Sequence, residues 1–206
     1  MIMDKEVTVL AGIYDNNVNL AIWQRETPEA LSAYAVFLLS AFPGFDIRTV
    51  VKPAEIDDLL SHKLPEYQYK RDFIADVTSL CEMFCDLFDL KQLGLRLGLV
   101  DTAMCPRFHT DHLPCRLVTT YIGAGSQWLV EPAVDRSKLG AGANGLPDHA
   151  SGIYLDEGEI RQLQAGEVAL LKGTQWAGNE QTAIVHRSPH IAAGDKRLLL
   201  TLDFAD

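Results

Sequence analysis

Metal-ligating side chains crowd into residues 105–112, Cys-Pro-Arg-Phe-His-Thr-Asp-His. If residues 108–111 are extended, the side-chain period of a strand sends His109 and Asp111 to one face and Thr110 to the other. One imidazole and one carboxylate then converge. A second imidazole from a distant strand would complete a triad of two His and one carboxylate, which leaves the remaining metal positions open to other ligands. His186, at the end of the run Thr182-Ala-Ile-Val-His186, is the leading candidate for that third ligand, with His190 in reserve. A His-x-Asp pair alone is a weak signal, and the downstream strand His in a β-rich setting gives it weight. The alternatives are a local zinc set and a metal-free jelly roll in which these groups only satisfy hydrogen bonds. Cys105, His109, His112 and Cys115 would form the zinc set, but strand geometry sends Cys105 and His109 to one face and His112 to the other. Arg197 has an ordinary ion-pair role as its alternative.

The elements that must position these residues fall into two regions. In residues 1–92 the pattern is mainly helical. Thr27-Pro28-Glu29 reads as a helix start with Thr as cap, and Pro43-Gly44 as its stop after Phe42. A short helix follows Pro53, and Phe73, Val77, Leu80, Phe84 and Leu87 recur at three- and four-residue steps along a long helix over 69–90. Cys81 and Cys85, on that helix, read as small apolar core residues. In residues 93–206 short β-rich runs take over, at 95–100, 116–122, 127–130, 167–171, 182–186 and 197–203, broken by Gly, Pro and Asp. Many short strands without interposed helices predict a sandwich or barrel, with 131–148 as a long loop over one mouth. The fold class expected is α+β, in one domain over 1–206.

Composition narrows the partners. A formal net charge of -10 and the lack of any Lys/Arg-rich stretch oppose nucleic-acid binding. The start, Met1-Ile2-Met3-Asp4-Lys5-Glu6, lacks the basic and apolar regions of a secretory signal. The longest apolar stretch, 33–42, is about half of the roughly 20 residues a spanning helix needs. A cytoplasmic location, no membrane partner and four thiols in place of disulfides are the expectations.

Over 107–203 the chain resembles the non-haem Fe(II)/2-oxoglutarate-dependent oxygenases, in which a His-x-Asp pair is followed far downstream by a His and then by an Arg or Lys. The resemblance implies a double-stranded β-helix, of the jelly-roll or cupin-like kind, with the helical region packed against it. It further implies that His109, Asp111 and His186 bind Fe(II) and that Arg197 pairs with the distal carboxylate of 2-oxoglutarate. Thr201, on the same strand face as Arg197, would assist, and Tyr121 would offer a hydrogen bond to the cosubstrate. One departure stands out: many of these enzymes have Ser or Thr two residues after the Arg, where this chain has Leu199. The whole chain also resembles a bacterial family of unknown function sometimes encoded near zinc-responsive genes. The expected function is an oxygenase or hydroxylase acting on a small molecule or a protein side chain. The alternative is a non-catalytic zinc- or iron-binding protein of metal homeostasis, since zinc accepts the same ligands.

Overall fold

Leucine at every second position builds the centre of the molecule. In β4 (Leu93–Val100), Leu93, Leu95 and Leu97 point one way and Gly94, Arg96 and Gly98 the other. In β10 (Arg197–Phe204), Leu198, Leu200 and Leu202 oppose Arg197, Leu199, Thr201 and Asp203. The computed structural model describes residues 1–205. In it, these two strands lie within a seven-stranded sheet that also contains β1 (Ile2–Asp4), β2 (Leu20–Trp23), β3 (Asp46–Val51), β5 (Cys115–Ile122) and β8 (Val168–Lys172). The order is β1-β2-β8-β5-β10-β4-β3, antiparallel throughout except for the β1–β2 pair.

The leucine face is covered by α1 (Glu29–Ala41), α2 (Ile56–Lys63) and α3 (Lys70–Phe88). The spacing predicted for α3 holds: Phe73, Val77, Leu80 and Phe84 are buried against the sheet, each worth about 1.5–3 kcal/mol of apolar burial. No described helix is long and apolar enough to cross a membrane. On the other face lies a small antiparallel sheet ordered β7-β6-β9, made of β6 (Gln127–Leu129), β7 (Ile160–Gln162) and β9 (His186–Arg187). Leu20, Ile22, Val118, Leu171 and Leu199 of the large sheet meet Trp128 of the small one in a second apolar core.

Several expectations need correction. The first region is mainly helical as expected, but it also contributes β1, β2 and β3, unforeseen strands that extend the large sheet at both edges. β2 was hidden because its residues are buried on both faces and so do not alternate; β3 does alternate, with Ile47 and Val51 buried and Asp46 and Arg48 on the opposite face, and was overlooked. Thr27 does not cap α1; Pro28 occupies the cap position, with no side-chain cap bond. The strand expected over 182–186 shrinks to His186–Arg187. Residues 131–148 form short 3₁₀ turns leading into α4 (Asp148–Ser151), and Val134 and Leu139 pack on a third apolar cluster around Phe108, Tyr154 and Val185.

Candidate metal centre

The triad is assembled by backbone pairing. His109 and His186 form an isolated antiparallel bridge in which each N–H donates to the other's carbonyl at 3.0 Å. Opposed residues of such a pair project to the same face, and the two imidazole centroids lie 4.6 Å apart. Asp111, two residues beyond His109, joins them as expected, and ligand atoms of all three lie within 4.8 Å of one another. The Nδ1 of His109 sits 2.9 Å from the carbonyl oxygen of Arg107, and that of His186 sits 3.2 Å from that of Ile184. Each Nδ1–H therefore donates to backbone, which directs Nε2 to the centre. Both Nε2 atoms lie 3.5 Å from oxygens of Asp111, an arrangement that a cation among them would satisfy.

Electrostatics favour an ionised carboxylate here. Burial works against the charge of Asp111, yet hydrogen bonds from His109 and His186 and the charges of His186 and Arg116 hold its pKa far below the usual carboxylate range. Burial likewise opposes a charged His109, but Asp111 and the Arg107 carbonyl outweigh it and raise its pKa. The Nη1 of Arg116 donates to Asp111 Oδ2 at 2.7 Å, while its Nε and Nη2 hold Asp203 at 2.7 and 2.9 Å.

A second carboxylate ties the two ligand-bearing segments together. Asp148 Oδ2 accepts from the backbone N–H of Phe108 at 3.0 Å and from Nη1 of Arg187 at 2.8 Å. These neighbours immediately precede His109 and follow His186. The Arg187 guanidinium also stacks 4.2 Å over the Phe108 ring.

The remaining expected residues are placed as follows. Arg197 is buried on the face of β10 turned toward the small sheet, and its Nη2 donates to Thr120 Oγ1 at 2.8 Å. Its Nε has no partner, no carboxylate pairs with it among the described residues, and burial pulls its pKa down to about 10. Thr120 lies opposite Leu199, so the arginine leans along β10 in the direction of Thr201. Gly123, with φ 90, makes room beside it: a Cβ there would lie 2.9 Å from that of Arg197. Thr201 shares the strand face but stands four residues, about 13 Å, along it from Arg197. Tyr121 is corrected: it points to the helices, where its hydroxyl donates to Asp76 Oδ2 at 2.6 Å beside the Arg25–Asp76 pair. His190 is exposed and outside the triad, as are His62 and His149. Cys115 is buried on the helix side of β5, so the local zinc set does not form, and Cys105 is exposed. Sequence reasoning left Arg116 open between an ordinary ion pair and a cosubstrate contact, and missed Asp148 and Thr120. The alternation of β5 carried a signal for two of them, since Arg116, Val118 and Thr120 share the face turned away from the leucine core.

A family model described as "Protein of unknown function (DUF1826)" matches residues 4–203. The chain belongs to this family. None of the curated proteins matches it. Among solved structures, this family member is similar to a rice dioxygenase for auxin oxidation (DAO), at 13% identity and TM-score 0.52, over 91% of this chain and 74% of that one. It is also similar to JOX2, solved in complex with 2OG, Fe and JA, at 10% identity and TM-score 0.53, over 97% of this chain and 71% of that one. Such low identity speaks to fold alone. The fold of this DUF1826 protein is the double-stranded β-helix of the 2-oxoglutarate/Fe(II) oxygenases, with helices packed on its larger sheet.

Proposed function

We propose that this protein is a non-haem oxygenase that uses Fe(II) and 2-oxoglutarate to oxidise a small molecule or a side chain of another protein. The donor set fits the metal: two imidazole nitrogens and one carboxylate converge, and each imidazole is oriented by a backbone carbonyl. Arg197 carries the proposal. A buried guanidinium with no counter-charge and a free Nε is costly, by several kcal/mol, unless something else pairs with it. A dicarboxylate cosubstrate supplies the missing charge and the missing acceptors together. A protein that only carried metal would have no use for that cation.

On this proposal His109, Asp111 and His186 hold the iron, and Arg197 with Thr120 binds the distal carboxylate. When bound, iron and 2-oxoglutarate supply the oxidising power. The chain supplies placement: the carbonyls of Arg107 and Ile184 aim the imidazoles, Arg116 donates a hydrogen bond that fixes the Asp111 carboxylate, and the apolar lining between the sheets excludes water. Protein purified anaerobically is expected to hold stoichiometric Fe(II) and to form succinate from 2-oxoglutarate. His109→Ala and Asp111→Ala should lose the metal. Arg197→Met should keep it but bind 2-oxoglutarate at least about 30-fold more weakly, the equivalent of about 2 kcal/mol. Zinc bound in preference to iron, with no succinate formed, would replace this proposal with a role in metal homeostasis.

A further inference from the structure

Away from the small sheet, the metal-facing side of the large sheet becomes charged, and its register explains how. On this face Arg48 of β3 stands directly opposite Arg96 of β4, which stands opposite Thr201 of β10. The next row runs Val50, Gly94, Asp203, Arg116. Two arginines facing each other across strands repel. Asp46 answers only part of that charge, accepting from Nε of Arg48 at 2.8 Å and from Nε of Arg96 at 3.3 Å. Both residues are held at Nε. No other carboxylate pairs with either among the described residues, although Nη1 of Arg96 touches Met104 Sδ.

The glycines beside Arg96 point the same way. Gly94 and Gly98 weaken a strand interior by roughly 0.5–1 kcal/mol each relative to alanine, and such glycines often mark a close approach by a ligand. Gly98 has a local reason, because a Cβ there would collide with the Asp46 carboxylate. Gly94 has none: a Cβ would meet only ordinary contacts with Asp203 at 3.7 Å. What its bareness leaves is the floor of an open trough of about 500 Å³, with Val50, 58% exposed, and Met104 among its apolar walls. Arg116 belongs to both trough and metal centre, since it lines the former and donates to Asp111 in the latter.

We propose that this trough binds the primary substrate, and that the substrate is an organic anion, a carboxylate or phosphate ester on an apolar body, clamped by Arg48 and Arg96. The word substrate rests on the oxygenase proposal; the anion site does not. Planar guanidinium forks match either anion; Arg48 and Arg96 have only Asp46 between them, which leaves one unanswered positive charge at that end of the trough in a chain of net charge -10, whereas Arg116 is already matched by Asp203 and Asp111.

The test uses benzoate and phenyl phosphate as probes, titrated calorimetrically into metal-free protein without 2-oxoglutarate. Saturable binding of at least one probe is expected, weakened tenfold or more in both Arg48→Gln and Arg96→Gln and retained in Arg197→Met. The preferred probe identifies which anion the substrate carries. Arg48 is largely exposed, so its variant should fold as the parent does even if Arg96→Gln does not. No saturable binding, or binding that Arg48→Gln leaves intact, overturns the proposal. So does binding lost only in Arg197→Met, which would put the anion in the cosubstrate site. Because neither iron nor turnover enters this measurement, success here with no succinate formation leaves an anion site and removes only the oxygenase proposal.

Discussion

Arg197 is a residue whose energetics and proposed chemistry pull in opposite directions. Folding strips its guanidinium of water and returns one hydrogen bond, donated to Thr120 Oγ1. Replacing it with leucine removes an uncompensated buried charge. Metal-free Arg197→Leu should therefore be more stable than the parent by about 1–4 kcal/mol, read as a higher urea midpoint at unchanged slope. A less stable variant would mean the charge is already compensated. At this scale the sequence was legible where one local rule sufficed. His109 and Asp111 needed only the period of a strand, and His186 only its place at the end of an apolar run. Thr201 was misjudged because a shared face says nothing of distance; the hydroxyl that meets Arg197 comes from Thr120, across a strand boundary that depends on register.

Elements meet through two carboxylates, the buried Asp148 and the half-buried Asp76, and each gives a prediction. Asp148, entering from the turns before α4, joins the two ligand-bearing segments without touching the triad. Asp148→Asn should weaken Fe(II) or Zn(II) binding by about 10- to 100-fold, as for other groups that support metal ligands. Its signature is lost metal affinity in a variant that still unfolds cooperatively; unchanged affinity would make Asp148 a packing residue only. Asp76 ties α3 to the sheet through Arg25 and Tyr121. Burial, then the negative charge of Asp76, raises the Tyr121 pKa well above its usual value near 10. Above pH 10 the unfolded chain loses this proton while the folded chain keeps it, so the contribution to stability is present below pH 10 and falls as pH rises. Tyr121→Phe should cost about 1 kcal/mol at pH 8 and flatten the alkaline decline by up to about 1.4 kcal/mol per pH unit. Parallel denaturation curves at pH 8 and pH 10.5 check this. The long helix was readable because its apolar stripe is periodic, and β2 was not, because burial on both faces erases the alternation that announces a strand.

At the scale of the whole molecule, one sheet separates two jobs. Its leucine side anchors the helices, and its other side holds an apolar interior, a candidate metal triad and a charged trough. Composition foretold an acidic chain but not a local basic patch, since a sum over all residues hides how register gathers Arg48, Arg96 and Arg116. The bridge between His109 and His186 has a further consequence. Each amide donates to the other's carbonyl, backbone bonds that do not themselves need an ion, so on the proposed function loading would be a docking event with little ordering left to do. Deuterium should enter these two amides slowly even after chelation, and rapid exchange there would show instead that the ion itself knits the strands together.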